Sequence, residues 1–334
     1  MNKKRLKKVA MILAGLVVLM IITGAIGPFL IPVKPLEGLS AVQDLAAPES
    51  RFVTIPFAGT DGVDIHYLTS SSNTADDDST FILLHGSNFN AFTWNEVLDL
   101  FEQYGQAFAY DQIPYGLSEK LVAGDWEARN PYSSEAAVEQ LFLFMDALAI
   151  ERAILIGNSY GAALAVQATL AYPERVDALI LADAAVYVEE EMPAWLFELP
   201  QVRHLGPVLA RQLGQSEAFI RQTYRDPAQI STERMAQTMI QTQVTNWDMA
   251  YWEYLRVWGS DTPNYQARIP EIQQPALVIS GDSDNVVPVA DSQKLHAELP
   301  NSTLTILPSC GHVPQEECPE LFENAVITWL SGLE

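Results

Sequence analysis

The sequence predicts an α/β architecture: a doubly wound, mostly parallel sheet, with a helical cap inserted into it and a transmembrane helix ahead of it. Three observations carry this reading. Six short apolar runs alternate with helical patterns from residue 81 to residue 330. The alternation stops between Ala185 and Pro275, where aromatic-rich helical patterns take over. Residues 9–27 contain neither a charge nor a proline.

The N-terminal segment comes first. Lys3, Lys4, Arg5, Lys7 and Lys8 precede the uncharged stretch. Residues 9–27 would span about 28 Å as a helix, close to the hydrocarbon thickness of a bilayer. Pro28 and Pro32 close the segment, and Lys34 is the next charge. Residues 1–33 are therefore expected to anchor the chain in a membrane, with the basic flank cytoplasmic and the body of the chain on the extracytoplasmic side. The competing reading is a signal sequence cleaved near Thr23-Gly24-Ala25, giving a secreted protein. The apolar stretch, however, runs on through Ile26, Phe29, Leu30 and Ile31, longer than the usual apolar region of a signal peptide.

Residues 34–50 are rich in Pro, Ala and acidic side chains and read as a linker. Two alternating runs follow, at 52–57 and 63–68, with Asp61-Gly62 between them as a hairpin signal. Ser70 to Ser79 reads as an exposed polar loop. The apolar runs at 81–84, 107–110, 153–156, 178–181, 276–279 and 304–307 fit parallel strands buried on both faces. Helical patterns at 93–101, 134–148, 162–171, 290–299 and 319–330 supply the crossovers. The sheet domain is assigned to residues 51–185 and 270–334, and the cap to 186–269. Some cap aromatics are expected to pack the cap's own core, and those facing the sheet to line an apolar pocket.

Charge limits the partners. The formal net charge is −23, and all five basic residues of the first eight positions lie outside the body, which keeps 14 Lys and Arg against 42 Asp and Glu. Such a surface repels nucleic acid and disfavours anionic substrates. No nucleic-acid partner, metal or organic cofactor is expected, and the oligomeric state is not encoded legibly. Cys310 and Cys318 lack metal-ligand spacing. They could pair on the oxidising side of a membrane if geometry allows.

The chemistry starts at Gly157-Asn158-Ser159-Tyr160-Gly161, a G-x-S-x-G between an apolar strand and a helix rich in small residues. A sharp strand-to-helix turn strains the serine backbone and exposes its Oγ. Ser159 is the candidate nucleophile. A serine hydroxyl needs a base, and His312, just beyond the last strand, is the candidate. The imidazole needs a carboxylate to fix its tautomer. Asp284 is preferred, Asp282 reads as a turn former, and Asp183 is a third choice. The oxyanion donors are expected to be the backbone N–H of Tyr160 and that of Ser87. His85 is expected to brace the loop that carries Ser87.

These segments, together with Leu84-His85-Gly86-Ser87, the stretch 111–118 and Gly311-His312-Val313-Pro314-Gln315-Glu316, resemble the α/β-hydrolase superfamily over residues 52–330. The resemblance is to the capped branch that holds epoxide hydrolases, haloalkane dehalogenases, small esterases and carbon–carbon bond hydrolases. It implies the α/β-hydrolase fold. The first two groups use Asp at the elbow, where this chain has Ser159. Asn158 is similar to the carbon–carbon hydrolases, but Val313 stands where those carry Trp after the histidine. The resemblance therefore implies a serine hydrolase that cleaves a small, uncharged, fairly apolar carboxylic ester through an acyl-enzyme. The alternatives are a carbon–carbon bond hydrolase or cofactor-free perhydrolase on the same triad, and a membrane-displayed binding protein on a hydrolase scaffold.

Overall fold

The computed structural model describes residues 3–70, 79–187, 193–258, 260–261 and 263–333. The loop expected at 70–79 falls largely on residues 71–78, outside the described residues.

Eight strands form one sheet: β1 (Arg51–Ile55), β2 (Val63–Thr69), β3 (Ser79–Leu84), β4 (Gly105–Tyr110), β5 (Ala153–Asn158), β6 (Val176–Ala182), β7 (Ala276–Gly281) and β8 (Ser302–Leu307). Their spatial order is β1-β2-β4-β3-β5-β6-β7-β8. The β1–β2 hairpin and the β2–β4 pair are antiparallel, and every pair from β4 to β8 is parallel. The alternation of side chains across the pleat feeds two cores. Ile82 and Leu84 belong to one, Phe81 and Leu83 to the other. All six residues of β5 are buried, as a central strand covered on both faces requires.

The strand order reverses at β3, which lies between β4 and β5. Chain leaving β3 turns one way and chain leaving β5 turns the other, which opens a crevice at their C-terminal ends. The segments 85–88 and 158–160 both sit there.

Helices Ser134–Ala147, Tyr160–Ala171, Val289–Glu298 and Pro319–Leu330 supply the crossovers. The 93–101 pattern forms two 3₁₀ helices instead, Ala91–Trp94 and Leu98–Gln103. Asn90 caps the first through its side chain, and Val97, at φ −123° and ψ −2°, separates the two. Trp94 and Phe101 are still buried, so the apolar periodicity there reports burial and not an α-helix.

Between β6 and β7 the described chain is helical, including Pro200–Gly214, Glu217–Thr223 and Trp247–Trp258. Trp252 packs on Gly206, and Trp247 on Gly214. Trp247, Tyr251, Trp252 and Tyr254 are buried, whereas Trp195 is exposed.

Helix Lys3–Ile26 opens the chain. The stretch Lys7–Leu30 has mean hydropathy 2.8, is unburied over its most apolar part, and is long and apolar enough to cross a membrane, a property that signal sequences share. The chain after it is bound to the helical insertion. Gln201 donates to the Ala25 carbonyl at 3.2 Å, His204 Nε2 to Ile31 at 2.9 Å and Arg211 to Lys34 at 2.7 Å. Ser40 then bridges to Val244, and Val42 and Leu45 pack on the sheet core. Cys310 and Cys318 are joined in a disulfide, their Cα atoms 6.1 Å apart.

Candidate active site

β5 delivers Ser159 directly into the start of helix Tyr160–Ala171, at φ 55° and ψ −118°. A side chain with a Cβ rarely adopts such a backbone, and it persists only where surrounding bonds hold it. The Ser159 N–H donates to Ala182 at 3.0 Å, and its carbonyl accepts from Ala162, Ala163 and Ala185. The approach is close: a Cβ on Gly161 would lie 2.1 Å from the Leu84 carbonyl oxygen. Glycine at 161 is therefore what lets the helix begin against the end of β3.

His312 follows β8. Its N–H donates to the Thr223 carbonyl of the helical insertion at 2.7 Å, and its carbonyl accepts from Asn158 Nδ2 at 2.9 Å. Its Nδ1 lies 2.8 Å from Asp284 Oδ2. Asp284 Oδ1 accepts from the N–H groups of Val286 at 2.6 Å and Val287 at 3.0 Å. Both carboxylate oxygens are thus fixed, and the ring must present Nδ1–H to Asp284. Its Nε2 is buried and forms no hydrogen bond. The structure therefore joins His312 to Asp284 and does not join Ser159 to His312 by a hydrogen bond. Asp282 accepts from Ser309 N–H and Ser283 Oγ, each at 2.8 Å, the pattern of a turn-forming side chain.

Ser87 and Tyr160 line the same cavity as Ser159. Tyr160 is the first residue of its helix, so its N–H has no intrahelical acceptor. The loop bearing Ser87 is braced by His85: Gln112 N–H donates to His85 Nε2 at 2.9 Å, and His85 Nδ1 donates to the Gly86 carbonyl at 2.8 Å. Burial lowers the His85 pKa, which keeps the ring neutral and able to accept.

The cavity holds about 290 Å³. Phe219, Tyr254 and Trp258 of the helical insertion line it. Asp261 is its one charged lining residue among those described, and no Lys, Arg or His lines it. No local pattern announces Asp261, which is isolated in the chain and enters the cavity wall through a loop. Thr223 was equally silent, since it contributes only a carbonyl.

Asp183 adjoins the Asp284–His312 pair: among the described residues, one side-chain O or N atom of each of Asp183, Asp284 and His312 lies within 4.8 Å of the others.

A family described as the alpha/beta hydrolase fold matches residues 79–319, well over half the chain. The chain belongs to the α/β-hydrolase family. A 2-hydroxy-6-oxononadienedioate/2-hydroxy-6-oxononatrienedioate hydrolase of Burkholderia vietnamiensis is 29% identical over 84% of this chain and 95% of its own length. Among solved structures, a meta-cleavage product hydrolase from Pseudomonas fluorescens superposes with TM-score 0.66 at 21% identity, over 84% of this hydrolase and 98% of that chain. A bacterial membrane phospholipase A aligns over 98% of both chains, with TM-score 0.64 and 21% identity. That alignment takes in the N-terminal helix as well as the sheet. At these identities the superpositions show a shared fold.

Proposed function

We propose that the chain is a serine hydrolase that cleaves uncharged, fairly apolar carboxylic esters through an acyl-enzyme. The observation that carries the reading is the cavity at Ser159: among the described residues, aromatic side chains and one carboxylate line it, with no cation. The hydrolase of Burkholderia vietnamiensis acts on a dioate, which carries two carboxylates. A dianion bound in this cavity would meet Asp261 and find no positive partner among the described lining residues. The overall charge of −23 adds long-range repulsion.

In this mechanism Ser159 Oγ attacks the ester carbonyl while His312 Nε2 takes its proton. Nε2 has no other bond to break first. Catalytic hydrogen bonds are often long before substrate arrives, and substrate completes the Ser159–His312 contact. The N–H groups of Ser87 and Tyr160 hold the oxyanion, with Tyr160 at the positive end of its helix. Asp284 stabilises the imidazolium, which then protonates the leaving alcohol. Water enters by the reverse path and frees the acid.

The second reading is a carbon–carbon bond hydrolase on the same residues, favoured by the names of the curated relatives and by Asn158 beside the nucleophile. A panel of p-nitrophenyl esters of graded chain length, run beside a ring-cleavage dioate, separates the two. Turnover of the esters and loss of turnover in Ser159→Ala support the ester reading. Turnover of the dioate alone reverses it.

The N-terminal helix is proposed to hold the enzyme on a membrane with the active site extracytoplasmic. The Cys310–Cys318 bond supports that side, because disulfides persist in oxidising compartments.

A further inference from the structure

Asp183 stands at the end of β6, beside the proposed triad and outside its proton path. Its backbone is held at φ 46°, a strained value for a residue with a Cβ. The side chain is fully buried. Oδ1 accepts from Gly281 N–H at 2.9 Å and Ser280 Oγ at 3.4 Å, whereas Oδ2 meets no N–H or hydroxyl donor. What it does meet is the Asp284–His312 pair, within 4.8 Å.

Two ionised carboxylates cannot share a buried site at this range, so one of them keeps a proton. Asp284 already accepts three N–H bonds, from Val286, Val287 and His312, and has no oxygen left without a donor. Asp183 has one such bond and a free oxygen, so the proton belongs on Asp183 Oδ2. Burial first, and the Asp284 charge second, hold the Asp183 carboxyl well above the ordinary carboxylic range. Among the described residues, the titratable side chains that face it are Asp284 and His312. Asp282 turns instead to Ser283 and Ser309.

We propose that Asp183 is a positioning residue: its carboxyl group donates a hydrogen bond to Asp284, and that bond fixes the carboxylate on which His312 leans. The inference rests on the triad reading. It adds a neutral donor behind the acid, which leaves the site one negative charge in place of two.

The experiment compares Asp183→Asn with Asp183→Ala in the full chain. Asparagine keeps a neutral donor, so kcat and the pH profile of kcat/KM are expected to stay within about 3-fold of the parent. Alanine removes the donor, and kcat is expected to fall about 10-fold with little change in KM. Its acid limb moves to higher pH, because the unsupported Asp284 pulls harder on the imidazole proton.

An acid limb that moves to lower pH in Asp183→Asn would mean that the parent carries a second negative charge, and the proposal is overturned. Equal kcat and equal profiles in Asp183→Ala, with only a lower Tm, would overturn it as well. So would loss of activity in EDTA with recovery on adding a divalent cation, since a metal ion would displace the proton. The downfield Nδ1–H resonance of His312 reads the same bond without turnover. It is expected to be unchanged by asparagine and shifted by alanine even if the esters prove to be the wrong substrates. A resonance indifferent to both changes rejects the proposal, whereas ester inactivity alone rejects only the assigned substrate.

Discussion

Asn158 fastens the nucleophile to the histidine loop: its Nδ2 donates to the His312 carbonyl at 2.9 Å and to the Ala182 carbonyl at 3.3 Å. One side chain, adjacent to Ser159, thus sets the spacing between the end of β5 and the loop after β8. Replacing it by alanine leaves a buried carbonyl without its donor, at a cost of about 1–3 kcal/mol. In Asn158→Ala, kcat for ester hydrolysis is expected to fall about 10–100-fold while KM changes little, because a small misplacement of the base is felt in the transition state. A change confined to KM would place the role of Asn158 in substrate binding.

The two acids of the 281–288 turn are separated by their bonds. Asp284→Asn is expected to lower kcat about 10⁴-fold, as loss of the tautomer-fixing carboxylate does in such triads. Asp282→Asn keeps an acceptor for Ser309 and is expected to stay within about 10-fold of the parent. Steady-state kinetics on one ester, with fluorophosphonate labelling of Ser159 as a check on the nucleophile, decides between them. The reverse ranking would move the acid to Asp282.

How much of this was legible in the chain depends on where each cause lies. The β strands are visible because a strand buried on both faces must be apolar throughout, as at 153–156. Ser159 is visible because a sharp turn needs glycine on both sides of it. His312 and the pair Asp282 and Asp284 are visible as polar residues just beyond strands. The preference for Asp284 over Asp282 could be read from its place in the turn, but the N–H groups of Val286 and Val287 that orient its carboxylate toward His312 could not. The 91–103 segment misleads, since the apolar spacing of a buried 3₁₀ pair imitates an α-helix. The ties from residues 25–40 to the helical insertion join segments some 170 to 200 residues apart, and no local pattern announces them.

Those ties make the anchor testable. In cells the full chain is expected in the membrane fraction, resistant to extraction by high salt and released by detergent. Removal of residues 1–24 is expected to shift it to the soluble fraction with ester turnover retained, since the ties begin at Ala25. A full chain recovered as soluble protein shortened near Ala25 would show that the segment is a cleaved signal.

The Cys310–Cys318 bond closes a short loop that contains His312. A loop of this length restricts the unfolded chain by about 2–3 kcal/mol. Cys310→Ala with Cys318→Ala is expected to lower Tm by several degrees and to lower kcat modestly through the histidine loop. Equal Tm with and without reductant in the parent would show that the bond does not form.

Acid should weaken the fold in two separate steps. The pKa of His85 lies below its ordinary value of 6.5, chiefly through burial. The unfolded chain therefore takes up a proton near pH 6.5 that the folded chain refuses, and stability falls as pH drops below that value. Asp111 adds a lower step. Burial alone would raise its carboxyl, but the His66 imidazole at 2.7 Å, the nearby His85 and the Ala91 N–H outweigh it and hold the pKa at about 2. Its stabilisation is complete above the ordinary value of 3.8 and is lost as pH falls toward 2. The shift corresponds to about 2 kcal/mol. Urea midpoints measured from pH 7.5 to pH 3 should show the first decline, and His85→Gln, which cannot titrate, should flatten it whatever its absolute stability. Asp111→Asn should flatten only the decline below pH 4. A His85→Gln slope equal to that of the parent between pH 6.5 and 5 would mean that the ring already carries its proton in the fold, and the brace through Gln112 N–H could not then exist.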